Sequence, residues 1–268
     1  MAFRRITALP PVIASDVLTS QLVGIGMNFA GAPAHDPNIE DSILFASIEG
    51  MEKGDLRVLA ILVTWFGIHA PWVNADRLTT LARAQSSARV RAFWSAVARW
   101  QRKDRRFVRL SGSYKGPRKD VLEVGTEFQL QRHGEDPRFT GSAIRVAANI
   151  LRDRPTDVLS PSLLARRHHV YHFRIMMGPN YRADMWAALE SDATLSAAAL
   201  ARETYGSFAT AWHVRRDFLL LRGAPSQRTP TPESNKKPPT STSGAIRGAR
   251  KTRLKHKSWD DHHKRDES

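Results

Sequence analysis

Apolar positions recur along most of this chain at helical spacing. In residues 40–49, Ile43, Leu44, Ala46 and Ile48 share one face, and Gly50 follows as a stop. Asp55 is placed to cap a helix over 56–66, apolar nearly all round and therefore a buried central element. Asn74 caps a third helix over 75–84 with Leu78, Leu81 and Ala82 inward. Gln85-Ser86 turns the chain, and Ser87 caps a fourth over 88–102, where Val90, Phe93, Trp94, Val97 and Trp100 form the apolar stripe. Residues 107–110 and 121–124 then read as two short strands about a basic, glycine-containing turn. Helix, turn, helix and a two-stranded wing is the pattern of a winged helix.

The second half repeats part of this design. Strand candidates at 128–130 and 143–150 flank a polar loop at 133–141. Ser160-Pro161 starts a helix that runs to about residue 176 and stops at Gly178-Pro179, and another follows over 181–189. A short alanine-rich helix over 196–203 leads to the tight turn Tyr205-Gly206, with Gly206 expected to supply the positive φ. Ser207 caps a last helix whose predicted stripe is Phe208, Ala211, Trp212 and Leu219.

The expected fold class is therefore mostly α with small β wings: two winged-helix or helix-turn-helix units joined by a β-containing connector. The boundaries are an irregular arm at 1–37, a winged-helix-like domain at 38–125, a connector at 126–160, a helix-turn-helix domain at 161–223 and a tail at 224–268. The tail is rich in Pro, Ser and Thr, cannot bury enough apolar surface to order itself, and is expected to be disordered and basic.

Charge changes the picture more than composition does. The chain carries 41 Lys and Arg against 26 Asp and Glu, a formal +15. Residues 224–268 hold 11 basic and 5 acidic side chains, so they contribute +6 and the remainder keeps +9. A field of that sign attracts polyanions. Cysteine is absent, which excludes disulfides, thiol nucleophiles and thiolate metal sites. The most apolar window, 56–66, is too short to span a bilayer, and no signal peptide is recognisable, so a cytoplasmic protein without membrane contact is expected.

Double-stranded DNA is the expected partner. In the first unit Gln85, Ser87, Arg89 and Arg91 fall at the start of the predicted recognition helix, where side chains reach base edges. Arg105, Arg106, Lys115 and Arg118 are placed to hold phosphates from the helix end and wing. In the second unit Ser207, Thr210, His213 and Arg216 take the corresponding places. No cofactor is called for, and a non-enzymatic regulator is expected.

Three constellations carry other chemistry. Ser111-Gly112-Ser113 with Asp120 and Glu123 echoes the loop and acidic pair of nucleotidyl-transfer enzymes, but acids three apart on a strand point to opposite faces. His168 and His172 share a helix face at i, i+4 without the glutamate of an HEXXH motif, so a structural cluster is the stronger reading. The loop 134–138 reads as a charge-satisfied turn fixed by Pro137.

On the segments 74–124 and 181–221, with basic residues between, the chain resembles bacterial winged-helix regulators of the abortive-infection type, the antitoxins found beside nucleotidyltransferase toxins. The resemblance implies an N-terminal winged helix that binds an operator and a C-terminal domain that opposes a toxin. The alternative to DNA binding is accordingly a protein-interaction module that neutralises a partner toxin. The second helix-turn-helix and the basic tail lie outside the family pattern.

Overall fold

Short polar side chains start the helices. In this computed structural model, which describes residue 10 and residues 13–223, Asn38, Asp55, Asn74, Ser87, Ser196 and Ser207 each accept a hydrogen bond from the backbone N–H three residues on. The elements they open are α2 (Ile39–Glu52), α3 (Leu56–His69), α4 (Ala75–Ala84), α5 (Ala88–Trp100), α11 (Ala197–Glu203) and α12 (Phe208–Leu221). The remaining helices are α1 (Ser15–Gly24), α6 (Val108–Ser111), α7 (Thr126–His133), α8 (Pro161–Arg167), α9 (His169–Met177) and α10 (Tyr181–Ser191). Two strands of two residues, β1 (Lys119–Asp120) and β2 (Ile144–Arg145), pair in parallel with Lys119 opposite Ile144. The fold is thus mostly helical with a minute sheet. No described helix is long and apolar enough to cross a membrane. The tail at 224–268 lies outside the described residues.

Several local expectations are corrected. The arm at 1–37 contains a helix, α1, whose Leu18 and Leu22 are buried. Gly50 does not stop α2, which runs on to Glu52, and positive φ occurs instead at Gly54. Gly50 serves the crossing of α2 over α3: a Cβ there would lie 2.7 Å from the Leu59 Cβ. No hairpin wing forms. Residues 105–111 wind into a 3-10 turn and α6, because Phe107 and Leu110 bury at a spacing of three while Val108 between them is 62% exposed. Residues 121–124 are loop, and residues 128–130 lie in α7 rather than a strand. Of residues 143–150, only Ile144 and Arg145 form strand.

The helix expected over 161–176 breaks at His168, whose backbone is extended. Its Nδ1 accepts the Tyr171 N–H, so the neutral ring donates from Nε2 to the Pro37 carbonyl at 3.0 Å. His168 and His172 therefore do not share one helix face. In the second helix-turn-helix, Tyr205 rather than Gly206 takes positive φ, at 56°.

Two apolar cores result. The larger packs α1–α5 around Trp65, Phe66, Phe93, Trp94 and Phe107, and receives Leu164 and Tyr171 from α8 and α9. The smaller consists of Met185, Leu189, Leu200, Ala201, Ala211, Val214 and Phe218 from α10–α12. What joins them is polar and buried. The Arg174 guanidinium grips Glu40 at 2.6 and 2.9 Å and Asp184 at 2.7 and 3.0 Å. Arg77 donates to Asp41 at 2.8 Å, and the Tyr205 hydroxyl donates to the other Asp41 oxygen at 3.2 Å. Burial opposes the charge on Arg174, but Asp184 and Glu40 outweigh it and hold the group protonated. The described residues belong to one contact unit.

Candidate nucleic-acid interface

The two helix-turn-helix segments begin alike. The Ser87 Oγ accepts from the Val90 N–H at 3.1 Å, and the Ser207 Oγ accepts from the Thr210 N–H at 3.1 Å. Their second helices meet different surroundings. Residues 92–98 of α5 are buried without a break, because α2, α4, α6 and the strands β1 and β2 all pack against the helix. α12 buries only Ala211, Val214 and Phe218, and leaves its opposite side open.

The residues assigned to base reading in the first unit are engaged by the fold. Arg89 reaches over the strand layer to the Val121 carbonyl at 3.0 Å and Glu123 at 3.3 Å. Arg91 turns back onto the carbonyls of Gln85 and Ser86, the latter at 2.9 Å. Ser87 donates to Glu52 at 2.7 Å while capping α5. In the second unit Ser207 and Thr210 face each other, Oγ to Oγ1 at 2.8 Å. His213 is exposed beside Trp212. Arg216 lies over the Trp212 ring and donates to Asp217 at 2.8 Å. Arg216 and Arg182 together hold the Asp217 carboxyl below the usual carboxylate range.

The α12 stripe also differs from the sequence reading. Phe208 and Trp212 point outward, 46% and 38% exposed, and with Arg216 and Leu220 they form an open row at four-residue spacing. Apolar residues occupy both sides of this helix, so α10 and α11 decided which side they would cover.

The phosphate-contact candidates divide into two kinds. Arg106 is tied to Asp104 and to the Ala70 carbonyl at 3.1 Å, and through its hydrogen bonds it keeps the Asp104 carboxyl below its ordinary range. Arg118 is a staple: it donates to the Ser142 carbonyl at 2.8 Å, to the Ile144 carbonyl at 2.6 Å and to Glu135. Arg105 and Lys115 are exposed and, among the described residues, no acid pairs with either. The same holds for Arg99, Arg102 and Lys103. The run 102–106 was legible as a charge cluster, whereas nothing in the sequence separates Arg99 from the paired arginines around it. Residues 99–119 carry nine Lys or Arg and one Asp, nearly all of the surplus outside the tail. Residues 181–223, by contrast, carry five of each sign.

The remaining constellations are structural. Arg145 binds both Asp120 oxygens, at 2.7 and 2.9 Å, while Glu123 faces Arg89. Asp136 accepts from Arg138, which also reaches Asp153 at 2.6 Å, so the loop 134–138 is charge-satisfied.

No family model matches this chain, and neither a curated protein nor a solved structure matches it.

Proposed function

We propose that the protein binds duplex DNA as a transcriptional regulator and grips the backbone with the free cations of the segments that follow α5. The observation that carries this reading is the concentration of unpaired positive charge there: Lys103, Arg105 and Lys115 are exposed and have no acidic partner among the described residues. Charges free of local partners release counterions on meeting phosphates, which makes affinity steeply salt-dependent. Arg89 and Arg91 hold the start of α5 to its own fold, so the proposal assigns them to stability and gives the backbone contacts to the free cations. It includes no catalytic step.

α12 favours a second activity on the same chain. Its open row of Phe208, Trp212 and Leu220, on a segment without net charge, suits a protein partner better than a polyanion. A DNA-binding body with a C-terminal helix for a partner such as a toxin accords with the antitoxin-type resemblance.

The test is fluorescence anisotropy on a labelled 20-bp duplex, roughly two helical turns. The triple substitution Lys103→Gln, Arg105→Gln, Lys115→Gln is expected to weaken binding about tenfold or more. It should also flatten the slope of log K against log salt by about 3. Arg89→Ala is expected to lower thermal stability while DNA affinity stays within about twofold. An unchanged salt slope in the triple variant would overturn the assignment.

A further inference from the structure

A cavity of about 620 Å³ opens between the C-terminal half of α5, α6 and the loops around residues 114–118 and 141–143. Its lining is mixed. Arg99, in the last turn of α5, and Arg102, just beyond its end, face it together with Arg118. Arg118 is immobilised by the two carbonyls and the carboxylate already described, whereas Arg99 and Arg102 have no acidic partner among the described residues. The walls are fixed as well. The Ser95 Oγ donates to the Ser111 carbonyl at 2.6 Å, and the Tyr114 hydroxyl donates to the Pro117 carbonyl at 2.7 Å. Gly141, at φ 65°, brings its loop beside Arg99: an added Cβ would lie 3.7 Å from the Arg99 Nη2.

We propose that this cavity binds a small phosphorylated ligand of the nucleoside-phosphate class. Two free guanidiniums beside a pinned third match a phosphate dianion, which Arg recognises through paired N–H donors. Asp104, kept ionised by Arg106, also lines the cavity and repels a second phosphate. It therefore faces the donor-bearing part of the ligand, a sugar hydroxyl or an amine. Val108 and Tyr114 supply the apolar wall for the remainder. The volume falls within the range of small-molecule sites, roughly 300–1,000 Å³. This site stands apart from the proposed DNA contacts, because it uses Arg99 and Arg102, which line the cavity, rather than Lys103, Arg105 and Lys115, which do not.

The experiment is isothermal titration of the full chain with AMP, with adenosine and inorganic phosphate as the two halves of the probe. AMP is expected to bind saturably, one per chain, and more tightly than either half. Arg99→Gln with Arg102→Gln should weaken it about tenfold or more at an unchanged melting temperature, since both side chains are exposed and unpaired. Lys103→Gln with Arg105→Gln should leave it unaltered while weakening duplex binding, which separates failure here from failure of the DNA reading. Equal losses in both double variants would reduce the effect to diffuse attraction by a basic protein and overturn the proposal. Absence of saturable heat, or adenosine binding as tightly as AMP, would also overturn it. Displacement of AMP by a 20-bp duplex in proportion to its phosphates would show the cavity to be part of the DNA surface and overturn it too.

Discussion

The segments α4–α5 and α11–α12 use the same local chemistry to opposite ends. Both turn through a few residues, both start the second helix with a serine cap, and both place arginines on that helix. Yet α5 became a central strut, covered by α2, α6 and the strand pair, while α12 became a lid over a small core with an open apolar row. A helix-turn-helix pattern thus specifies how two helices meet and says nothing of what the second one faces. That is decided by other parts of the chain, here α2, α6 and residues 119–145 for α5 and α10 for α12.

The substitution expected to separate the two segments most strongly is Arg174→Ala. It would leave Glu40 and Asp184 buried without a counter-charge, at a cost of about 3–5 kcal/mol. Denaturant unfolding followed by the α10–α12 tryptophans, Trp186 and Trp212, is expected to show this segment loosening before the larger core. A single coincident transition of unchanged midpoint would mean that the apolar contacts alone hold the two together.

Acid should act mainly on the larger core. The His69 Nδ1 accepts from the Tyr171 hydroxyl at 2.6 Å and its Nε2 donates to the Leu159 carbonyl at 3.0 Å, an arrangement that requires the neutral ring. Burial lowers its pKa to about 4, and burial also lowers that of His168. A depressed histidine pKa means that the unfolded chain takes up the proton first. Stability is therefore intact above about pH 6.5 and declines as pH falls toward 4, by roughly 3 kcal/mol from His69 alone. His69→Gln should flatten the pH dependence of the melting temperature over that window. An equally steep dependence in the variant would locate the titration elsewhere.

The smallest expected difference lies at the caps. Ser207→Ala should cost about 1 kcal/mol, the loss of one helix cap. Ser87→Ala should cost more, because the same hydroxyl also donates to Glu52 at 2.7 Å and ties α5 to the end of α2. Equal shifts in denaturant midpoint would show that the Glu52 contact contributes nothing.

The helix starts were legible because a cap and the N–H it accepts from lie within three residues, so Asp55, Asn74, Ser87 and Ser207 could be placed from the sequence. What could not be read depends on distant partners. The sheathing of α5 draws on α2, on α6 and on a strand pair of two residues each, 25 positions apart. The wing failed because Phe107 and Leu110, three apart, share one side of a helical turn but would fall on opposite faces of a strand. At the candidate interface the charge run at 102–106 was plain, but which arginines remain free was not. Arg106 and Arg118 find backbone carbonyls from 24 to 36 residues away, and a carbonyl leaves no mark in a sequence.

The buried arginine network also sets an order on synthesis. Arg77 reaches Asp41 across 36 residues, so that pair can close early. Glu40 must wait 134 residues for Arg174, and the Tyr205 hydroxyl comes 164 residues after its Asp41 partner. A chain growing from its N-terminus thus carries an acid at the head of α2 that it cannot neutralise internally until α9 emerges. Its N-terminal helices can collapse before then, but their polar centre is completed only when α9 to α12 have emerged and the second helix-turn-helix closes it.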